Sequence, residues 1–73
     1  MANFKINSIG KNGKEYTDTV SGENIGCAIN RAGKLHDQGR TSIEIYGWTT
    51  NEYGEKYVKL MAHETKPGVI EIL

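Results

Sequence analysis

One stretch of this chain has helical spacing, and the rest alternates or turns. Ile25, Ala28, Ile29, Ala32 and Leu35 recur three or four residues apart. On a helix they gather into one apolar stripe roughly 120° wide. Asn30, Arg31, Lys34 and Gln38 point away from it. Ser21 is the expected N-cap, because its hydroxyl can accept a hydrogen bond from an orphan amide, and Glu23 suits the positive first turn. Gly39 is the expected stop. Gly26 and Gly33 each weaken the helix by up to about 1 kcal/mol relative to alanine. Close approach to a sheet or a frayed first turn would each account for Gly26. A single helix covers one face of a sheet, so a second apolar face must meet solvent, a chain end or a partner.

The rest reads as strands. Phe4–Ile9 alternates, with Phe4 and Ile6 on one side. Lys11-Asn12-Gly13-Lys14 carries Asn-Gly, the signal of a tight hairpin with a type I′ turn. Glu15–Val20 returns, with Tyr16 and Val20 inward. Asp18 falls on that same side, which requires either a sheet edge or a bend in register. After the helix, Thr41–Thr50 is rich in β-formers. Asn51–Glu55 turns, Lys56–Glu64 returns, and Pro67-Gly68 makes a corner. Val69–Leu73 can add a short last strand, at an edge or near the first strand. The expected fold is one α+β domain over residues 1–73. It has two layers, with one helix on a four- or five-stranded antiparallel sheet in the order β-β-α-β-β(-β).

Strict alternation through the second hairpin gives two sets of residues. Ile43, Ile45, Val58, Leu60 and Ala62 would face the helix. Tyr46, Trp48, Tyr57, Met61 and His63 would face away, with Lys59 beside them. Rings on an open sheet can anchor a protein interface or stack bases. The plainer alternative is that they cover glycine gaps, pair across strands or pack under the last strand.

Charge and cysteine content narrow the classes. Nine basic and nine acidic residues balance. Residues 1–40 carry six basic against four acidic, and residues 41–73 carry three against five. Phosphate binding rests on clustered Lys and Arg, so their scarcity near the aromatic set weighs against nucleic acid. Neutrality permits self-association, since long-range repulsion is small. Arg31 and Lys34, with Lys14 or Arg40 as further candidates, form a secondary basic patch on the helix side, read first as an ordinary solvated face and otherwise as a contact for an acidic partner or phosphate. One cysteine, Cys27, excludes an internal disulfide, whereas small secreted domains usually need such staples. The N-terminus lacks a signal-peptide core, and no apolar run is long enough to span a membrane. These features point to the cytoplasm of the producing cell, or of a host cell if the gene is viral.

No constellation argues for catalysis or a cofactor. Cys27 is expected on the polar side of the helix, with no base beside it. His36 is expected near the apolar side of the helix C-terminus as a structural histidine. One cysteine and two dispersed histidines do not make a zinc site. Gly10-Lys11-Asn12-Gly13-Lys14 lacks the Walker frame. Glu44 and Glu64 could approach across the hairpin, as many exposed pairs do. The reading is a small non-enzymatic protein-binding, adaptor or inhibitor module that associates with a protein partner or with itself as a homodimer. The alternative is a single-stranded nucleic-acid-binding protein using the same face.

Overall fold

The computed structural model describes residues 2–73. Among them the chain runs β1 (Ala2–Ile9), β2 (Glu15–Gly22), α1 (Gly26–Asp37), β3 (Thr41–Thr50), β4 (Lys56–Lys66) and β5 (Val69–Ile72). The strands form one antiparallel sheet in the order β2-β1-β3-β4-β5. The helix packs on β1, β2 and β3, leaving the other sheet face open. This is the expected two-layer α+β fold, with five strands. The last strand lies outside β4 and extends the sheet; it does not join β1.

The core lies between the layers. Phe4, Ile6, Ile43, Ile45 and Ala62 come from the sheet, and Ala28, Ala32 and Leu35 from the helix; all are buried. Burying each isoleucine or leucine contributes about 1.5–3 kcal/mol. The two alanines let the helix approach the strands closely, and Val20, Ile25, Ile29 and Ile70 close the margins.

The helix ends differ in how well they follow the sequence. At its C-terminus the Gly39 N–H donates to the His36 carbonyl at 2.9 Å and the Arg40 N–H to the Leu35 carbonyl at 3.0 Å. That is a Schellman arrangement, with Gly39 at φ 87° as the left-handed residue. At its N-terminus Ser21 is not the cap. β2 continues to Gly22, so Ser21 stays in the sheet and its hydroxyl donates to Asn3 Oδ1 at 2.6 Å. The helix enters through Ile25 with no side-chain cap at that position. Asn24 Oδ1 accepts the Gly26 N–H at 2.8 Å in its place. Glu23 precedes the first turn, which carries no acid.

The first two corners are three-residue hairpin loops. Gly10 N–H donates to Lys14 O and Gly13 N–H to Gly10 O, both at 2.9 Å. Gly13 has φ 79°, and Ser42 is the sole non-glycine residue with positive φ among the described residues. Asn12 is therefore not left-handed, and the loop is a type I turn followed by a glycine bulge, not the expected type I′ turn. Asn12 Oδ1 holds the loop by accepting the Lys14 N–H. Asn51–Glu55 repeats the design, with Gly54 at φ 80° and Asn51 Oδ1 accepting the Tyr53 and Glu55 amides. Pro67-Gly68 links β4 to β5, with Gly68 at φ 81°.

Asp18 resolves through the edge. β2 is an outer strand and keeps its register with β1. The Asp18 carboxylate meets Arg31 and Arg40, each at 3.7 Å. Arg40 also donates to the buried Ser8 hydroxyl at 3.1 Å and stacks 3.8 Å above the Tyr16 ring. A charge on the covered face is tolerated because it lies at the rim with two guanidinium partners. Cys27 also departs from expectation. It packs at the margin of the core against Gly22, where a Cβ would meet its Sγ, and donates to the Asn24 carbonyl. The helix is rotated enough to turn Cys27 toward β2.

Candidate interaction face

The two-face assignment of the second hairpin depends on one residue. Ile45 pairs with Ala62, but the next pair is Tyr46 with Leu60. Met61 is therefore an extra residue, a β-bulge that reverses the parity of β4 on the turn side. From there on, Leu60 shares a face with Tyr46 and Val58 with Trp48, while Tyr57 shares a face with Thr49 and Lys59 with Gly47.

Which face is which follows from Gly47. It alternates with the core residues Ile43 and Ile45 and is buried. A Cβ there would lie 3.0 Å from Met61 Cγ and 3.5 Å from Phe4 Cδ1. Met61 thus lies over Gly47 on the helix side, next to Phe4. Tyr57 and Lys59 share that side, out on the hairpin.

The expected six-residue set is therefore divided. Tyr46, Trp48 and His63 lie on the open face, whereas Tyr57, Lys59 and Met61 lie on the helix side. Val58 and Leu60, expected in the core, take their places on the open face. Trp48 and Val58 are each 46% exposed, while Tyr46 and Leu60 are half-buried. An isolated glycine in an otherwise regular strand is a known sign of a bulge or a close approach. Gly47 is the signal in the sequence that could have found this register.

The open face has two halves. On β1 and β2 it is polar apart from Ile9 and is tied across strands: Thr17 donates to Asn7 Oδ1 at 3.1 Å, Ser21 donates to Asn3, and Lys5 pairs with Thr19. On β3 and β4 it is apolar, with Tyr46, Trp48, Val58 and Leu60 adjacent in two cross-strand pairs. Asn3, Thr19, Trp48, Thr50 and Lys56 border a shallow groove of about 610 Å³ at the boundary. Toward the far end, Glu44, His63 and Glu71 form a lateral row. Burial, and then the neighbouring Glu44 carboxylate, raise the Tyr46 phenol above its usual pKa.

The two residues of the expected basic patch have different neighbours. Arg31 turns toward Asp18 on β2, whereas Lys34 borders a cleft on the other flank with Asn30, His36, Glu64 and Gly68. His36 Nδ1 lies 3.5 Å from Glu64, whose carboxylate also accepts the Gly68 N–H. The end of the helix and the β4–β5 corner therefore lie side by side here. Among the described residues no group of three metal-ligating side chains converges, and no helix is long and apolar enough to cross a membrane. No protein-family model matches this chain, and no match is found among curated proteins or solved structures.

Proposed function

We propose that this chain is a non-catalytic protein-binding module that self-associates through the apolar half of its open sheet face. The observation that supports this reading is the adjacency of Tyr46, Trp48, Val58 and Leu60 on a face no helix covers. Aromatic residues of this kind anchor interfaces when their surroundings exclude water. The zero net charge supports association with a second copy, because no overall repulsion opposes it. An interface of standard size takes about 800 Å² per partner. The single free cysteine suits a reducing compartment such as the cytoplasm.

Light scattering over a hundredfold concentration range, with reductant present, tests this reading. The expected result is a concentration-dependent dimer that Trp48→Ala weakens and Glu55→Ala, at the hairpin tip, does not. A monomer throughout would overturn self-association. A dimer indifferent to Trp48→Ala would overturn the face.

Single-stranded nucleic acid is the second reading, favoured by Trp48 and Lys56 bordering one groove. Its support is thinner. Lys59 lies on the opposite side, and the charged residues of the open face include Glu15, Glu44 and Glu71 as well as Lys5 and Lys56. Base stacking with phosphate contact predicts salt-sensitive binding. A flat titration with short DNA and RNA at low salt would discard it.

A further inference from the structure

The two outer strands of the sheet are not equivalent. β2 carries Asp18 beside Arg31 and Arg40, and its open-face side chains are Glu15, Thr17, Thr19 and Ser21. β5 is short and apolar but for Glu71; its Val69 and Ile72, and Leu73 just after it, are 50%, 58% and 66% exposed. The Leu73 N–H donates to the Met61 carbonyl at 2.9 Å. In an antiparallel pair the residues bonded to the neighbour alternate. Leu73 and Glu71 therefore bond inward to β4, and Ile70 and Ile72 turn their N–H and C=O groups to the open edge. Such an edge is a template for another strand.

Glu71 decides which strand fits. In the two-fold pairing of two β5 edges that forms most hydrogen bonds, Ile70 bonds Ile72 of the other copy. Glu71 then sits opposite its own counterpart. Like charges directly opposite destabilise a strand pair. The same carboxylate ends the lateral row Glu44–His63–Glu71 on the open face. A cation placed next in that row would meet it. On the helix side, Ile70 packs at the core margin and Ile72 leaves apolar surface beside it.

We propose that the β5 edge takes an extended segment of another protein by strand addition, with a lysine or arginine opposite Glu71 and apolar residues on either side of it. Main-chain bonds to Ile70 and Ile72 hold the segment, and Glu71 selects its charge and rejects a second copy. The site is separate from the apolar half of the open face and does not rest on that reading.

The probe is the blocked peptide acetyl-Thr-Val-Lys-Val-Thr-amide at millimolar concentration, with a second peptide carrying glutamate in place of lysine. Backbone amide NMR on the intact protein gives the readout. The Ile70 and Ile72 amides should shift and exchange at least about tenfold more slowly with the lysine peptide. The Glu71 amide, already bonded to β4, should change little. Glu71→Lys should reverse the preference between the two peptides by about tenfold. Three outcomes would overturn the proposal: no response at Ile70 and Ile72, a response confined to Trp48 and Leu60, or an unchanged preference in Glu71→Lys. Concentration-dependent protection of Ile70 and Ile72 without peptide would also overturn it, by making the occupant a second copy.

Discussion

Gly47 has no side chain, and that space determines what Met61 does. The Met61 thioether occupies the volume a side chain at position 47 would fill, and the bulge that places it there turns Val58 and Leu60 outward. Gly47→Ala puts a methyl group 3.0 Å from Met61 Cγ. Methionine is flexible, so the strain is moderate, and better strand propensity offsets part of it. The expected loss is about 1 kcal/mol of unfolding free energy in urea. Adding Met61→Ala should remove most of the clash, so the double variant should lose less than the two single losses combined. Tyr46 gives a second test at this scale. Its phenol is held protonated by burial and by the Glu44 carboxylate. The folded state therefore keeps the proton when the unfolded chain loses it. Stability is unaffected below the unfolded value of about 10 and falls as pH rises through the folded value. Tyr46→Phe should remove that part of the alkaline loss, read from denaturation midpoints above pH 10. An identical alkaline profile in Tyr46→Phe would show that this phenol takes no part.

Elements were legible where local chemistry specifies them. The helical stripe predicts α1, and Gly39 predicts its end because left-handed geometry is needed there. The strands follow from β-rich alternation and from glycines at turns. What failed depended on long-range pairing. Ser21 has cap chemistry, yet Asn3 across β1 claims its hydroxyl, and β2 runs past it. Alternation alone carried Tyr57, Lys59 and Met61 to the wrong face, because a bulge changes parity without changing composition. Arg40 shows the same limit: the sequence gives no reason for it to meet residues from two other elements. It joins the helix exit to β1 and β2 through Ser8, Asp18 and Tyr16. Arg40→Ala leaves the buried Ser8 hydroxyl without this donor and strips the cover from Tyr16. The expected cost is about 1–3 kcal/mol in chemical denaturation. Arg40→Lys should recover only part of it, since an ammonium cannot stack flat on the ring. Full recovery in the lysine variant would assign the effect to charge alone.

At the scale of the whole molecule, the unequal faces of the sheet separate stability from association. The helix side holds the buried residues, and the open side of β3 and β4 holds apolar residues that the fold leaves half-exposed or exposed. A lysine on each side should therefore have opposite consequences. Met61→Lys puts a charged chain against Phe4 and Gly47 at a half-buried position, so its stem must bend to bring the ammonium to water. It should destabilise by about 1–2 kcal/mol, through lost packing over Gly47 and Phe4 and partial desolvation of the charge. Val58→Lys places its charge on a surface already 46% exposed. Its effect on monomer stability should stay within about 0.5 kcal/mol. If the open face joins two copies, Val58→Lys should nevertheless weaken the dimer strongly, because it would put a charge beside Trp48 in a contact that excludes water. Urea denaturation read at low concentration gives the first quantity, and light scattering at high concentration gives the second. The reversed result, a Val58→Lys chain that unfolds readily beside a Met61→Lys chain of normal stability, would mean that strict alternation holds through β4 and that the bulge at Met61 is absent in solution.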